Sequence, residues 1–301
     1  MNFRFLFLPI FVVLALFTSC DYVDDPTEDT NTGGGGGGGG PDTTLAMKRD
    51  ILLMDFTGHQ CSNCPNAAVT AEGIYEDYPE QVTVLAVHPD LQGLSTPVDG
   101  DPGDPFVTDF RTPIGIQLQN QYDIQFMPIG VVSGMEIDGS YWMSVGNWRS
   151  TVESVIDDPK IAEIDITLDY DSTSRSLNIS TSTETIEEWD GMYTLSVVMV
   201  EDSVVDWQKN GTGGQPSDPN YPYGNIPDYV HRHVLRGAVN GTGGTGLVTT
   251  DQITSPGLTF DEDFSHSVSE EYDHSHMYVY AYVYNANTYE IIDVSHAKLI
   301  E

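Results

Sequence analysis

Positive charge is what this sequence has least of. Lys and Arg total 11 against 46 Asp and Glu, a formal net charge of −35 at pH 7 over 301 residues. A field of that sign repels phosphate backbones and anionic lipid surfaces, which excludes nucleic acid as a partner. The acids are nevertheless spread along the chain and 39% of residues are hydrophobic. That is not the composition of a disordered acidic tail, and the charge is best read as keeping an exported protein soluble. Cysteine is nearly as scarce, with Cys20, Cys61 and Cys64 alone. So few thiols cannot build the framework of a disulfide-stapled domain. A bridge between Cys61 and Cys64 would close too short a loop to restrict the unfolded chain much, so chemistry explains the pair better than stability does. Long apolar runs are missing as well, the longest being the short one near the N-terminus. It falls below the ~20 residues that a membrane-spanning helix needs.

That first segment, residues 1–19, has the make-up of a targeting signal: Arg4, then apolar Phe5 to Phe17, then small Thr18 and Ser19 before Cys20. It resembles the bacterial lipoprotein signal, although Leu16 stands one place earlier than the usual Leu and Phe17 takes its position. The resemblance implies that Cys20 is acylated and becomes the new N-terminus, anchored in lipid. Residues 20–43 carry Asp21, Asp24 and Asp25 and the glycine run Gly33 to Gly40, with no apolar periodicity. They form a tether. Roughly 30 residues between Cys20 and Ile51 span about 30 Å as a coil and about 100 Å stretched. Acidic residues just after a lipidated Cys resemble the tract that sends some Gram-negative lipoproteins to the outer surface.

The folded chain is organised around Asp55-Phe56-Thr57-Gly58-His59-Gln60-Cys61-Ser62-Asn63-Cys64-Pro65. Apolar Ile51 to Phe56 predicts a buried strand running directly into a Cys-x-x-Cys. A helix over about 64–78 follows, with Ala67, Ala71 and Ile74 on its apolar face and Pro79 as its stop. Strand, Cys-x-x-Cys and helix are the setting of a redox motif, in which the helix N-terminus favours the thiolate. Further on, the pattern predicts a strand at 82–88, an irregular insert at 89–111, and a helix with Thr112 as N-cap and Pro113 at its first position. A strand from Ile129 to Ser133, an Asp138-Gly139 hairpin turn with a returning strand, and a helix near Asn147 complete the half.

This β-α-β-α-β-β-α order, with its motif, resembles the thioredoxin fold over residues 44–158. Asp55 stands six residues before Cys61, where thioredoxins carry a buried Asp, and Met127-Pro128 precedes the third strand, where they carry a cis-proline. Gly134 suits the turn after that strand. The resemblance implies Cys61 as attacking thiolate, Cys64 as resolving thiol and Asp55 as proton shuttle. It also implies a cis Pro128 that lets the Met127 backbone pair with a substrate strand. The chain departs from the family at Gln60, at Ser62-Asn63 and at Pro65, which leaves the redox direction open. His59 has two readings, a charged neighbour that stabilises the thiolate and contacts substrate, or a solvent-facing loop residue. Asp99, Asp101 and Asp104 alternate with glycines but lack the distal Glu of an EF-hand, so a solvated turn is expected rather than calcium.

Residues 160–301 change texture. Ile164, Ile166, Leu168 and Tyr170 alternate with polar residues, as do Leu195, Val197 and Met199, and Tyr278, Tyr280, Tyr282 and Tyr284 share a face. This predicts an all-β, immunoglobulin-like sandwich of about seven strands, with the tyrosines in the core. Asp206 to Asp228 is expected to be a long loop. His231 with His233, and His274 with His276, fall on strand faces where hydrogen bonding is the default and zinc or copper the alternative. The stretch Asp228 to Arg236, with Gly-rich Asn240 to Gly246, resembles the outer-membrane-protein-28-related lipoproteins of Gram-negative bacteria. Their layout of lipidated Cys, thioredoxin-like half and β-rich half matches this chain and implies outer-membrane attachment.

Two functional readings follow. One is thiol–disulfide exchange on exported protein thiols or disulfides, with no cofactor. The other is a non-catalytic surface adhesin, receptor or accessory subunit of an outer-membrane complex, with an inert disulfide. Fold alone does not choose between them.

Overall fold

A strand without polar alternation must be covered on both faces, and every residue of Ile51–Phe56 (β1) is buried. The computed structural model describes residues 47–211 and 224–300; the expected targeting signal, Cys20 and the expected tether lie outside the described residues. Helix α1 (Cys64–Asp77) leads to Val82–Val87 (β2), equally buried and parallel to β1 in register from Ile51–Val82 to Phe56–Val87. Helix α2 (Pro113–Gln121) starts as its cap dictates, the Thr112 hydroxyl accepting from the Gly115 N–H with Pro113 at the first position. Ile129–Val132 (β3) runs antiparallel to β1, and the short β4 (Trp142–Met143) returns beside it. The turn between them puts Asp138 and Gly139 at φ 53° and 80°, the left-handed pair that a tight hairpin requires. Helix α3 is Val145–Val155.

The helices divide between the two faces of β1. Ile51 and Leu53 meet Ala67, Ala71 and Ile74 of α1 and Trp148 and Val152 of α3. Leu52, Met54 and Phe56 meet Ile114 and Leu118 of α2.

Beyond α3 the described residues form ten strands, three more than the alternation predicted: β5 (Ala162–Asp171), β6 (Ser176–Thr185), β7 (Trp189–Glu201), β8 (Val204–Asn210), β9 (Gly224–His231), β10 (Val234–Ala238), β11 (Thr245–Thr254), β12 (Thr259–Ser267), β13 (Met277–Asn285) and β14 (Ile291–Lys298). Five of them extend the first sheet. Its order is β14-β13-β7-β10-β2-β1-β3-β4, with β11 also paired to β7. The join is narrow: β10 meets β2 in parallel at Val234–Ala86, and the Ala86 N–H donates to the His233 carbonyl. Strands β12, β6 and β5 form a second layer. It packs Ala162, Ile164, Leu177 and Ile179 against Trp189, Leu195, Val197 and Met199 of β7. The result is a β-rich sandwich.

Strand β13 lies inside it and is covered on both sides. Tyr280, Tyr282 and Tyr284 enter the core shared with β1 and α2, while Val279, Ala281 and Val283 enter the core shared with the second layer. The tyrosine ladder is therefore core, as alternation on a central strand requires. Lys160, nearly buried, joins Asp50, Glu163 and the fully buried Asp293 at 2.5, 2.7 and 3.4 Å. Burial pushes the Asp293 carboxyl well above its ordinary range, opposed by Lys160.

Strands β8 and β9 form a hairpin of their own, from Val204–His231 to Asn210–Gly224. The expected loop over 206–228 is thus mostly strand in its described part. Its composition misled because turn-forming residues concentrate between residues 211 and 224, leaving short, partly exposed strands on either side.

Candidate functional site

The Cys-x-x-Cys leaves the end of β1 as a tight loop. The Cys61 N–H donates to the Gly58 carbonyl and the Cys64 N–H to the Cys61 carbonyl. Gly58 is obligatory, since a Cβ there would lie 2.5 Å from the Leu94 carbonyl oxygen of the insert. Cys61 and Cys64 are joined in a disulfide with their Cα atoms 5.4 Å apart. They are 3% and 1% exposed. Met127 packs on them with Leu91 and Leu94, and the Met127–Pro128 peptide is cis.

The β8–β9 hairpin closes over this loop. Buried Gln208 donates through Nε2 to the Gly58 carbonyl at 3.3 Å, the Cys61 carbonyl at 3.0 Å and the Lys209 carbonyl at 3.0 Å. The Lys209 N–H donates to the His59 carbonyl at 2.8 Å. A hydrogen-bonded segment from the far half of the chain thus covers the motif.

Beside it is a cavity of about 300 Å³. Asp55, Cys64, Ala68, His88, Tyr229 and His231 are among the residues that line it. Asp55 is buried, and desolvation pushes its carboxyl up to about 8. Among the described residues its Oδ1 has no hydrogen-bond partner, and neither ring nitrogen of His88 has one. Bare buried polar atoms of this kind are uncommon and require an explanation. Phe110 stands between the imidazoles, its ring centroid 4.9 Å from those of His88 and His231 and 5.6 Å from that of His59. Burial lowers the pKa of all three: well below the ordinary value for His88, and to about 4 for His231. Near pH 7 they are neutral.

The structure corrects several expectations. His59 is neither charged nor solvent-facing: it is 1% exposed and packed between Phe106 and Phe110 of the insert. The histidine pairs do not share strand faces. His231 ends β9 and turns to Phe110, whereas His233 takes φ 54° and turns to Tyr75 and Tyr280. His274 and His276 lie in a 3₁₀ turn, where His274 Nδ1 meets the Tyr170 hydroxyl at 2.9 Å. Among the described residues no group of three or more His, Cys, Asp or Glu side chains is arranged to hold a metal ion, Asp99, Asp101 and Asp104 included. Among them too, no helix is long and apolar enough to cross a membrane.

Cys61, Cys64, Asp55, Met127 and Pro128 are brought to one end of β1 and β3. His88, Phe110, Gln208 and Tyr229 were not anticipated. His88 had a signal, since it directly follows a strand parallel to β1, and sites form at the carboxyl ends of parallel strands. Gln208 had none.

The family described as outer membrane protein Omp28 matches residues 116–301, well over half of the chain. The chain belongs to the Omp28 family. That membership places it in the outer membrane. Among solved structures, a domain of the outer membrane lipoprotein Omp28 from Porphyromonas gingivalis is similar at 20% identity and TM-score 0.31. That match covers 47% of this chain and 89% of the other. A protein from Agrobacterium tumefaciens is similar at 10% identity and TM-score 0.46, over 84% of this chain and 95% of its own. No curated protein matches the chain. The Omp28 match begins inside α2, so β1, the cysteine pair and α1 precede it.

Proposed function

We propose that this Omp28-family protein is held in the outer membrane through an acylated Cys20, and that its first half is a thioredoxin-like module carrying out thiol–disulfide exchange at Cys61 and Cys64. The observation that carries the reading is Asp55. A carboxyl kept protonated in a buried strand, lining the same cavity as Cys64, lowers stability and has no ion-pair partner among the described residues to offset that cost. It suits a group that gives a proton to, or takes one from, a cysteine sulfur near neutral pH. In this reading Cys61 attacks, Cys64 resolves, and the Met127–Pro128 segment borders the substrate. Exported protein thiols reach Cys61 only when the β8–β9 hairpin lifts.

A second reading is favoured by the cover itself. Two sulfurs under 5% exposed, tied down by Gln208, also fit an inert bridge in an adhesin, receptor or accessory subunit. The reduction potential of the pair, measured on the whole mature protein together with insulin turnover and a Cys61→Ser control, separates the two. A value between about −270 and −120 mV with turnover lost in the variant supports exchange. A value below about −300 mV without turnover overturns it.

A further inference from the structure

The cover and the cavity together set a size limit on whatever reacts with the bridge. On the hairpin side Gln208 is bonded to the Cys61 carbonyl, and Met127 shares one buried cluster with the two cysteines. The cavity offers an approach to the bridge, and Cys64, not Cys61, belongs to its lining. Its volume of about 300 Å³ is at the small end of ligand sites, which run from about 300 to 1,000 Å³. Ala68 lines it from α1, giving an apolar flank for a carbon skeleton. The bare Asp55 Oδ1 and the two bare nitrogens of His88 offer donors and acceptors that no group among the described residues uses.

We propose that this cavity binds a low-molecular-weight thiol, and that such a thiol is the partner which reduces the covered bridge, by attack at Cys64. The inference rests on the exchange reading above and names its substrate class. The thiol enters as thiolate, its proton left to solvent. Its sulfur bonds to Cys64 Sγ, the Cys64–Cys61 bond breaks, and Cys61 leaves as thiolate. A second thiolate attacks the small-molecule sulfur of this mixed disulfide, and the small disulfide departs. Cys64 takes the proton of the Asp55 carboxyl, and Cys61 and Asp55 are reprotonated from solvent. Two small thiols lose two electrons and the bridge gains them.

The test uses the whole oxidised protein and follows the appearance of free thiols with cysteine or with reduced thioredoxin as reductant. Per thiolate, cysteine is expected to react at least about tenfold faster, because access governs such exchange. Ala68→Phe, which fills the cavity, should slow cysteine by about tenfold and leave the reduction potential unchanged, since the route alters and the end states do not. Quenched samples should carry the mixed disulfide on Cys64. Equal rates for the two reductants, a mixed disulfide on Cys61, or an unchanged rate in an Ala68→Phe protein of wild-type circular dichroism would overturn the proposal. The comparison of reductants on the unmutated chain decides even where the variant fails to fold. If size selection fails while insulin turnover persists, exchange stands and the entry route falls. If size selection holds without turnover, the route stands and exchange falls.

Discussion

Asp55→Asn should make this protein more stable and its bridge slower to react, and the stability gain should depend on pH in a defined way. Asp55 is 2% exposed, and burial raises its carboxyl from 3.8 to about 8. Below pH 3.8 it is protonated in both folded and unfolded chains and costs nothing through ionisation. Between 3.8 and 8 the unfolded chain ionises while the folded one does not, so folding loses about 1.4 kcal/mol per pH unit. By pH 5 the loss is about 2 kcal/mol and by pH 7 about 4 kcal/mol. Above about pH 8 the folded carboxyl ionises as well and the loss levels off. Asn has nearly the same shape and no proton to lose, so it removes the pH-dependent loss. Urea denaturation of the oxidised protein and its variant across pH 5 to 8 measures the difference. In parallel, reduction by cysteine at pH 7 should slow by about 10²-fold or more if the carboxyl supplies the Cys64 proton. A stability difference that stays flat across that pH range would show that Asp55 ionises normally, and the argument for its role would fail with it.

Three further perturbations test the surroundings of the site and the join between the layers. Gln208→Ala removes the donor that serves three carbonyls, including that of Cys61. It should cost about 1–3 kcal/mol and speed alkylation of reduced Cys61, read by timed iodoacetamide quenching and peptide mass. Lys160→Met strands the fully buried Asp293 beside Asp50 and Glu163. A loss of about 3–5 kcal/mol is expected, and a urea midpoint that does not move would refute the pairing. Gly134→Ala must hold φ at +60° and drive a Cβ into the Tyr289 carbonyl oxygen. The expected loss is about 2 kcal/mol or more, seen as a lower thermal midpoint; an unchanged midpoint would show that the turn yields.

What could be read from the chain alone was local. Apolar Ile51 to Phe56 has no polar alternation and could only be a strand covered on both sides. Thr112-Pro113 and Asp138-Gly139 carry their own caps and turn geometry, and each appears where expected. Asp55 was singled out by the resemblance to thioredoxins, and its nearness to the cysteine loop follows from the short stretch of strand and loop between them. The hairpin was not legible. Strands β8 and β9 are brief, they flank a Gly- and Pro-rich stretch, and their partner is a loop some 150 residues earlier, a pairing that no periodicity encodes. His59 was misjudged for a related reason. Its neighbours Phe106 and Phe110 come from an irregular insert whose path follows no repeat.

The sequence by itself determined the parts: a pair of cysteines three apart, a carboxylate six residues before the first of them, a strand running into that motif, and membership of an outer-membrane family. Backbone spacing settles which groups are close when they lie within one turn or one strand. Tertiary structure alone decided that the pair is bridged and covered, that Cys64 rather than Cys61 borders the cavity, and that the three histidines around Phe110 are neutral. Those properties depend on burial, and burial is set by segments from both halves of the chain meeting across one sheet.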